Sequence, residues 1–238
     1  MSYLVEEIFR TEGIPEYTFV SPPNYNELLI DIRNPTKPVV IEGQSGTGKT
    51  TTVIKMLEMH FGSLSFDYLS ARKSADNTRI HEIITNNIVG KYIIDDFHRL
   101  DNDLKEKIAN IIKIAAAEND DKTNSKLIII GINKVGSSLI QIVHDISKRC
   151  GIHKIKPATQ KITEDLIKLG QQKLNINFTD VGTIFEESRG DYWLTQLICQ
   201  SICLQNNIIE TSEKKFECTF DLKKIRNGVT GLVAIPSG

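Results

Sequence analysis

Eight consecutive residues, Gly43-Gln44-Ser45-Gly46-Thr47-Gly48-Lys49-Thr50, place three glycines around a lysine and a hydroxyl. Their spacing is G-x-x-x-x-G-K-[ST], and the chemistry it suits is the binding of phosphate. Glycines let backbone N–H groups close around an anion, and a helix N-terminus adds unpaired donors and the positive end of its dipole. Lys49 would reach the β- and γ-phosphates of a nucleotide, and the Thr50 hydroxyl would ligate Mg²⁺. The candidate cradle therefore runs from Gly43 to Thr50, with Thr51 beside it. A glycine-rich turn that merely contains Gly-Lys-Thr is the plain alternative.

A second stretch, Lys91-Tyr92-Ile93-Ile94-Asp95-Asp96-Phe97-His98, is an apolar run closed by two acids. Such a run fits a parallel strand buried on both faces. In open α/β sheets ligands sit beyond the carboxyl ends of the strands, so Asp95 and Asp96 fall on the phosphate loop's edge. Asp95 is the natural Mg²⁺ partner, through the metal's water shell. Asp96 is the candidate to polarise an attacking water. The alternative is a solvated Asp-Asp turn after a core strand.

The flanking elements must hold these groups. Pro38-Val39-Val40-Ile41 reads as a short buried strand, and Thr50 to His60 as a helix with Val53 and Leu57 on one face. Upstream, Leu4, Val5, Ile8 and Phe9 have helical spacing within residues 2–12, and Leu28, Leu29 and Ile32 mark another helix before Pro35. Between them lies Pro22-Pro23, with Tyr25 following: either a cover for a nucleotide base or a plain loop. Ser63 to Ser70 alternates like a strand, and a polar stretch from Arg72 to Arg79 leads into a helix marked by Ile80, Ile83 and Ile84. Leu104, Ile108, Ile111, Ile112 and Ala115 outline an amphipathic helix before the apolar strand Leu127 to Ile130.

Three further residues are candidates by position. Asn133 follows a strand's carboxyl end, where its amide would sense a γ-phosphate or hold water, or would only form a turn. The run Asn133-Lys134-Val135-Gly136 lacks the carboxylate that reads guanine, which favours adenine. Lys148-Arg149 ends a helix predicted over about residues 138–148, either answering its dipole or sending Arg149, or Lys148, to a neighbouring subunit's γ-phosphate. Arg189, in Ser188-Arg189-Gly190-Asp191-Tyr192-Trp193, turns toward the nucleotide or stands as an exposed loop arginine.

After a short strand, Ile152 to Lys156, and Pro157, the strand pattern stops. Helices are expected at Thr163 to Leu174, Val181 to Glu187 and Tyr192 to Leu204, and a last element begins at Phe216. The expected organisation is a nucleotide-binding α/β core with an N-terminal extension over residues 1–157, a helical lid over 158–210, and a tail over 211–238. The weakly patterned end suggests a module of a longer protein.

Composition is that of a soluble globular protein: 40% hydrophobic and 25% charged over 238 residues, with a net charge of −1. That balance gives no electrostatic reason to expect tight nucleic-acid or membrane binding, although a local basic patch is compatible with it. No apolar run has the length of a membrane span, and Met1 to Gly13 lacks the form of a signal peptide, so a cytoplasmic location is expected. Cys150, Cys199, Cys203 and Cys218 have no zinc spacing and read as reduced, buried thiols.

Taken in order, phosphate loop, strand-Asp-Asp, strand-Asn, helix-Arg, short strand and helical lid, the chain resembles the AAA+ and STAND ATPases. The pair Asp95-Asp96 looks closer to the STAND branch and its NB-ARC relatives, since AAA+ proteins usually carry Asp-Glu there. The likeness spans about residues 20–205. It implies that Gly43 to Thr50 is Walker A and Ile93 to Asp96 is Walker B. By the same likeness Asn133 is sensor 1, Arg149 an arginine finger and Arg189 a sensor 2 residue, although Arg189 precedes its glycine, unlike the family pattern. It further implies a parallel sheet ordered 5-1-4-3-2, ATP or ADP with Mg²⁺ as ligands, and self-association in the ATP state.

The leading expectation is therefore an α/β P-loop module with a helical lid. It would hydrolyse ATP slowly and couple nucleotide state to oligomerisation or to an effector domain or protein. The shorter Asp96 suits a slow timer. A second expectation is a DNA-associated AAA+ ATPase of the helicase-loader or transposition-regulator kind, similar in its Asp-acid-Phe-His run. A third is a small-molecule kinase whose pocket would use Arg72, Lys73 and Arg79.

Overall fold

The computed structural model describes residues 2–62, 65–118, 124–132 and 150–233. The chain divides into two compact units. One comprises Pro23–Ser45 and Lys49–Lys156, the other Met1–Pro22, Gly46–Gly48 and Pro157–Gly238.

In the first of these, β1 (Val39–Glu42), β2 (Asp67–Ser70), β3 (Lys91–Asp95), β4 (Lys126–Gly131) and β5 (Gly151–Lys154) form one sheet. Its order is β2-β3-β4-β1-β5, and the pairs are parallel. That is the order the resemblance implies. Successive strand side chains point to opposite faces. Val40, Tyr92, Ile94, Leu127 and Ile129 therefore enter one apolar cluster, whereas Val39, Ile41, Ile93, Ile128 and Ile130 enter another.

Helices cover both faces, as parallel sheets require. On the first face lie α4 (Ser74–Thr85), through Ile80, Ile83 and Ile84, and α5 (Asn102–Glu118), through Leu104, Ile108 and Ile112. On the second lie α2 (Tyr25–Arg33), through Leu28, Leu29 and Ile32, and α3 (Lys49–His60), through Val53, Met56 and Leu57. The result is a three-layer α/β/α core, the fold class expected from the sequence. Some boundaries differ. Strand β2 begins at Asp67, because Ser65 turns back to bond the Gly62 carbonyl. Helix α4 begins at Ser74, inside the stretch read as polar loop.

One part of this core was not foreseen. Lys126 opens β4 at 4% exposure, and its ammonium donates to the carbonyls of Asp31 (2.8 Å), Asn34 (2.6 Å) and Lys37. These lie in the last turn of α2 and just beyond it, where carbonyls have lost their helical partners. Asp31 in turn accepts from Lys37 Nζ at 2.6 Å and from His153 Nε2 at 2.8 Å.

The other unit holds α1 (Val5–Ile8), α6 (Gln160–Leu174), β6 (Ile176–Phe178), α7 (Val181–Ser188), α8 (Tyr192–Gln205), β7 (Phe216–Cys218) and α9 (Leu222–Val233). Thr159, Asp180 and Asp191 cap α6, α7 and α8 with side-chain oxygens, which sets where each helix starts. Val5, Ile8 and Phe9 share a core with Leu166, Ile167, Ile198 and Ile202, so the N-terminal segment is built into this unit. The expectation that strands end at Pro157 is corrected: β6 and β7 pair in parallel, Ile176 against Phe216. Their three-residue runs are too short to show a period. The four cysteines are free and buried. No helix among the described residues is long and apolar enough to cross a membrane.

Candidate functional site

Register brings the chemistry to one sheet edge. Ser70, the last residue of β2, pairs with Asp95, the last of β3, while Glu42 ends β1 opposite Gly131 at the end of β4. The phosphate-loop sequence leaves β1 at this edge and enters α3 at Lys49. Gly46 and Gly48 take φ of 78° and 75°, in the left-handed region where a Cβ is costly. Those two turns are why glycines stand there.

Lys49 Nζ donates to the carbonyls of Gln44 (2.7 Å) and Gly43 (3.1 Å), the loop from which it springs. Partial burial lowers its pKa, and Asp95 and Asp96 pull the other way. The ammonium is thus poorly solvated and close to two carboxylates, a state in which phosphate oxygens are favourable partners. Thr50 follows one residue later, and its Oγ1 donates to Asp95 Oδ2 at 2.7 Å. Gly43, Gln44, Ser45, Thr47 and Thr51 complete the run at the strand-to-helix junction.

The two acids differ. Asp95 is 7% exposed, with Oδ2 accepting from Thr50 and from the Tyr68 hydroxyl at 2.7 Å, and Oδ1 accepting the Asp96 amide at 2.7 Å. Asp96 stands in the left-handed region at φ 56°, a conformation that aspartate tolerates better than most residues. The kink carries its carboxylate onto β2, where Oδ2 accepts from Ser70 Oγ and Oδ1 from Arg72 Nη2, both at 3.0 Å. Behind it Phe97 is 1% exposed and anchors the turn. Partial desolvation of the Tyr68 hydroxyl, with Asp95 beside it, holds the phenol well above the ordinary tyrosine range, so the hydroxyl remains a donor. Tyr68 and Ser70 are the site residues that pattern reading missed, and Arg72 was expected only as a lining residue of a kinase pocket, not as a partner of Asp96. The only sequence signal of Tyr68 and Ser70 is their place at the end of an alternating strand.

A hard divalent cation takes oxygen ligands. The Thr50 hydroxyl and Asp95 carboxylate, within one hydrogen bond of each other, are a donor set of that type. Among the described residues no group of three or more His, Cys, Asp or Glu could hold a metal. A cation here would need oxygens from a bound nucleotide as well.

Asn133 and Arg149 lie outside the described residues. Arg189 belongs to the other unit, where it is exposed at the C-terminus of α7 with φ 50°. Tyr25 packs toward the far end of α3, its hydroxyl 3.2 Å from His60 Nε2. Arg79 bonds Glu82 on its own helix, and an open pocket beside it is lined by Ala71, Arg72, Ser74, Asn77, Thr78 and His81.

No known family's sequence profile matches the chain, and no curated protein matches it in sequence. Solved structures do match in shape. Cdc6p from Pyrobaculum aerophilum superposes with TM-score 0.59 at 16% identity, over 85% of this chain and 67% of that one. The Thermotoga maritima RuvB Holliday junction branch migration motor gives 0.58 at 14%, over 93% and 74%. This is an AAA+ P-loop fold. A third structure with the AAA+ fold, Aeropyrum pernix Orc1 in complex with DNA, gives 0.62 at 14% identity, over 97% and 70%. At these identities the likeness speaks for the AAA+ fold alone, and it does not single out the STAND branch.

Proposed function

We propose that this chain is an AAA+-type ATPase module that binds ATP with Mg²⁺, hydrolyses it and works on or beside DNA. The observation carrying the nucleotide part is the 2.7 Å bond between Thr50 and Asp95, which joins the phosphate-loop helix to the acid-tipped strand. Support for the DNA part comes from the structural neighbours, among them an Orc1 solved with DNA and a branch migration motor. The reading thus moves from the switch module first expected to the DNA-associated alternative.

In this reading the loop amides of Gly43 to Gly48 bind phosphate oxygens and Lys49 releases its carbonyl partners to bind the β- and γ-phosphates. Bound Mg²⁺ supplies positive charge on the phosphate oxygens. Thr50 and Asp95 would hold the ion, the Asp95 carboxylate being oriented by its hydroxyl and amide donors. Asp96 orients the attacking water once it is free of Ser70 and Arg72. Asn133 remains a proposed contact to the γ-phosphate or its water, Arg149 one to a neighbouring subunit's γ-phosphate, and Arg189 one to the nucleotide.

That tethering of Asp96 also favours one element of the switch reading, slow turnover. Two measurements separate the readings. The first is mobility shift of duplex DNA with ATP present, across rising salt. A shift that weakens steeply with salt is expected, because phosphate contacts release counterions. The second is light-scattering mass with ADP and then with a non-hydrolysable ATP analogue and Mg²⁺. Growth in mass without DNA binding would restore the oligomerising switch. ATP that fails to bind at all would end both.

A further inference from the structure

Tyr68 belongs to no motif, yet it touches the acid on which the proposed metal site depends. In β2 it lies two residues before Ser70 and pairs with Ile93, two residues before Asp95. With a period of two, Tyr68 and Asp95 share a sheet face, the one on which Ile93 packs in the cluster that includes α3. The same helix carries Thr50. Phenol length then lets the Tyr68 hydroxyl reach two positions along the neighbouring strand. It donates to Asp95 Oδ2 at 2.7 Å, the oxygen that also accepts from Thr50 at 2.7 Å.

The geometry points to Tyr68 as a positioning residue for divalent metal: it orients the Asp95 carboxylate toward Thr50 and so sets how tightly a nucleotide holds Mg²⁺ in this protein. The inference rests on reading Lys49, Thr50 and Asp95 as a nucleotide and Mg²⁺ site. A 93%-buried carboxylate has little water to orient it. Its direction is set by its donors, and each one contributes charge stabilisation as well as angle. Thr50 cannot serve both as a donor to Asp95 and as a ligand turned toward a metal with equal freedom. Tyr68 is the hydroxyl that stays with the acid when Thr50 does not.

The test uses the full chain and a fluorescent ADP analogue, titrated in EDTA and then across MgCl₂ concentrations. Tyr68→Phe removes one oxygen. The residue is 37% exposed on an edge strand, so the ring keeps its packing. Metal-free binding is expected to stay within about twofold of the parent. The Mg²⁺ concentration giving half-maximal enhancement is expected to rise about fivefold, the worth of one net hydrogen bond. In an Asp95→Ala background, adding Tyr68→Phe is expected to change nothing further, because its partner is gone.

An Mg²⁺ dependence equal to the parent's overturns the role of Tyr68. So does a loss of the same size in EDTA and in Mg²⁺, which is the mark of a merely structural residue. A parent chain that binds the analogue in neither condition overturns the nucleotide reading itself. A parent that responds to Mg²⁺ beside an unaltered Tyr68→Phe variant overturns only the inference.

Discussion

Arg72 Nη2 stands 3.0 Å from Asp96 Oδ1, so the acid proposed to orient water is held by a cation on the neighbouring strand's exit. The arginine side chain is 66% exposed, which makes the pair weak and easily opened by a competing anion. Arg72→Ala is expected to leave nucleotide affinity within about twofold while raising basal ATP turnover by about two- to fivefold, a gain below 1 kcal/mol. A coupled phosphate-release assay on the two chains reads it. A drop in turnover would mean that Arg72 serves the nucleotide directly.

Lys49 and Asp96 should separate binding from chemistry. Lys49→Ala removes the cation set among the Gly43 and Gln44 carbonyls and is expected to abolish nucleotide binding. Asp96→Asn keeps shape and loses charge, so binding is expected to persist while hydrolysis falls by about ten- to a hundredfold. Calorimetric titration beside single-turnover hydrolysis distinguishes them. Normal ATP binding by the Lys49→Ala chain would sink the assignment.

Arg189 offers a stability test. Among the described residues other than glycine, those with positive φ are Asn87, Asp96, Asn175, Asn207 and Arg189. Asn and Asp gain local hydrogen bonds from that backbone, and arginine does not. At the end of α7 glycine is the natural residue. Arg189→Gly is therefore expected to raise the unfolding free energy by about 0.5–1 kcal/mol in urea. Unchanged ATP turnover would confine Arg189 to the helix end, and a loss of more than tenfold would support contact with phosphate.

Lys126 ties stability to pH. Burial, the larger influence, lowers its ammonium to about 7 against the pull of Asp31. Unfolded, the lysine keeps its proton to about 10.4. Between those values the unfolded chain binds a proton that the folded chain has released, so stability rises with pH. The slope from this group is at most about 1.4 kcal/mol per pH unit. Lys126→Met lacks it, and urea titrations between about pH 7.5 and 9.5 should show a smaller rise than in the parent. Equal slopes would mean that the three carbonyls keep the ammonium charged.

By itself the sequence determined the parts that obey short-range rules. Gly43 to Thr50 announces its turn through Gly46 and Gly48, which take positive φ, and the runs at Val39, Tyr92 and Leu127 are apolar because both faces of their sheet are covered. From those the α/β core followed, and the resemblance supplied its strand order. Tertiary structure decided what depends on register and on long-range pairing. Tyr68, Ser70 and Arg72 become site residues only because β2 lies beside β3 with Ser70 opposite Asp95. Lys126 is buried only because the end of α2 presents carbonyls to it. The segment at Val5 joins α6 and α8 across more than 150 positions, and β6 meets β7 across a gap filled by two helices. A period in sequence shows which face of an element is apolar. Which element meets that face is set by packing between parts of the chain that share no local signal.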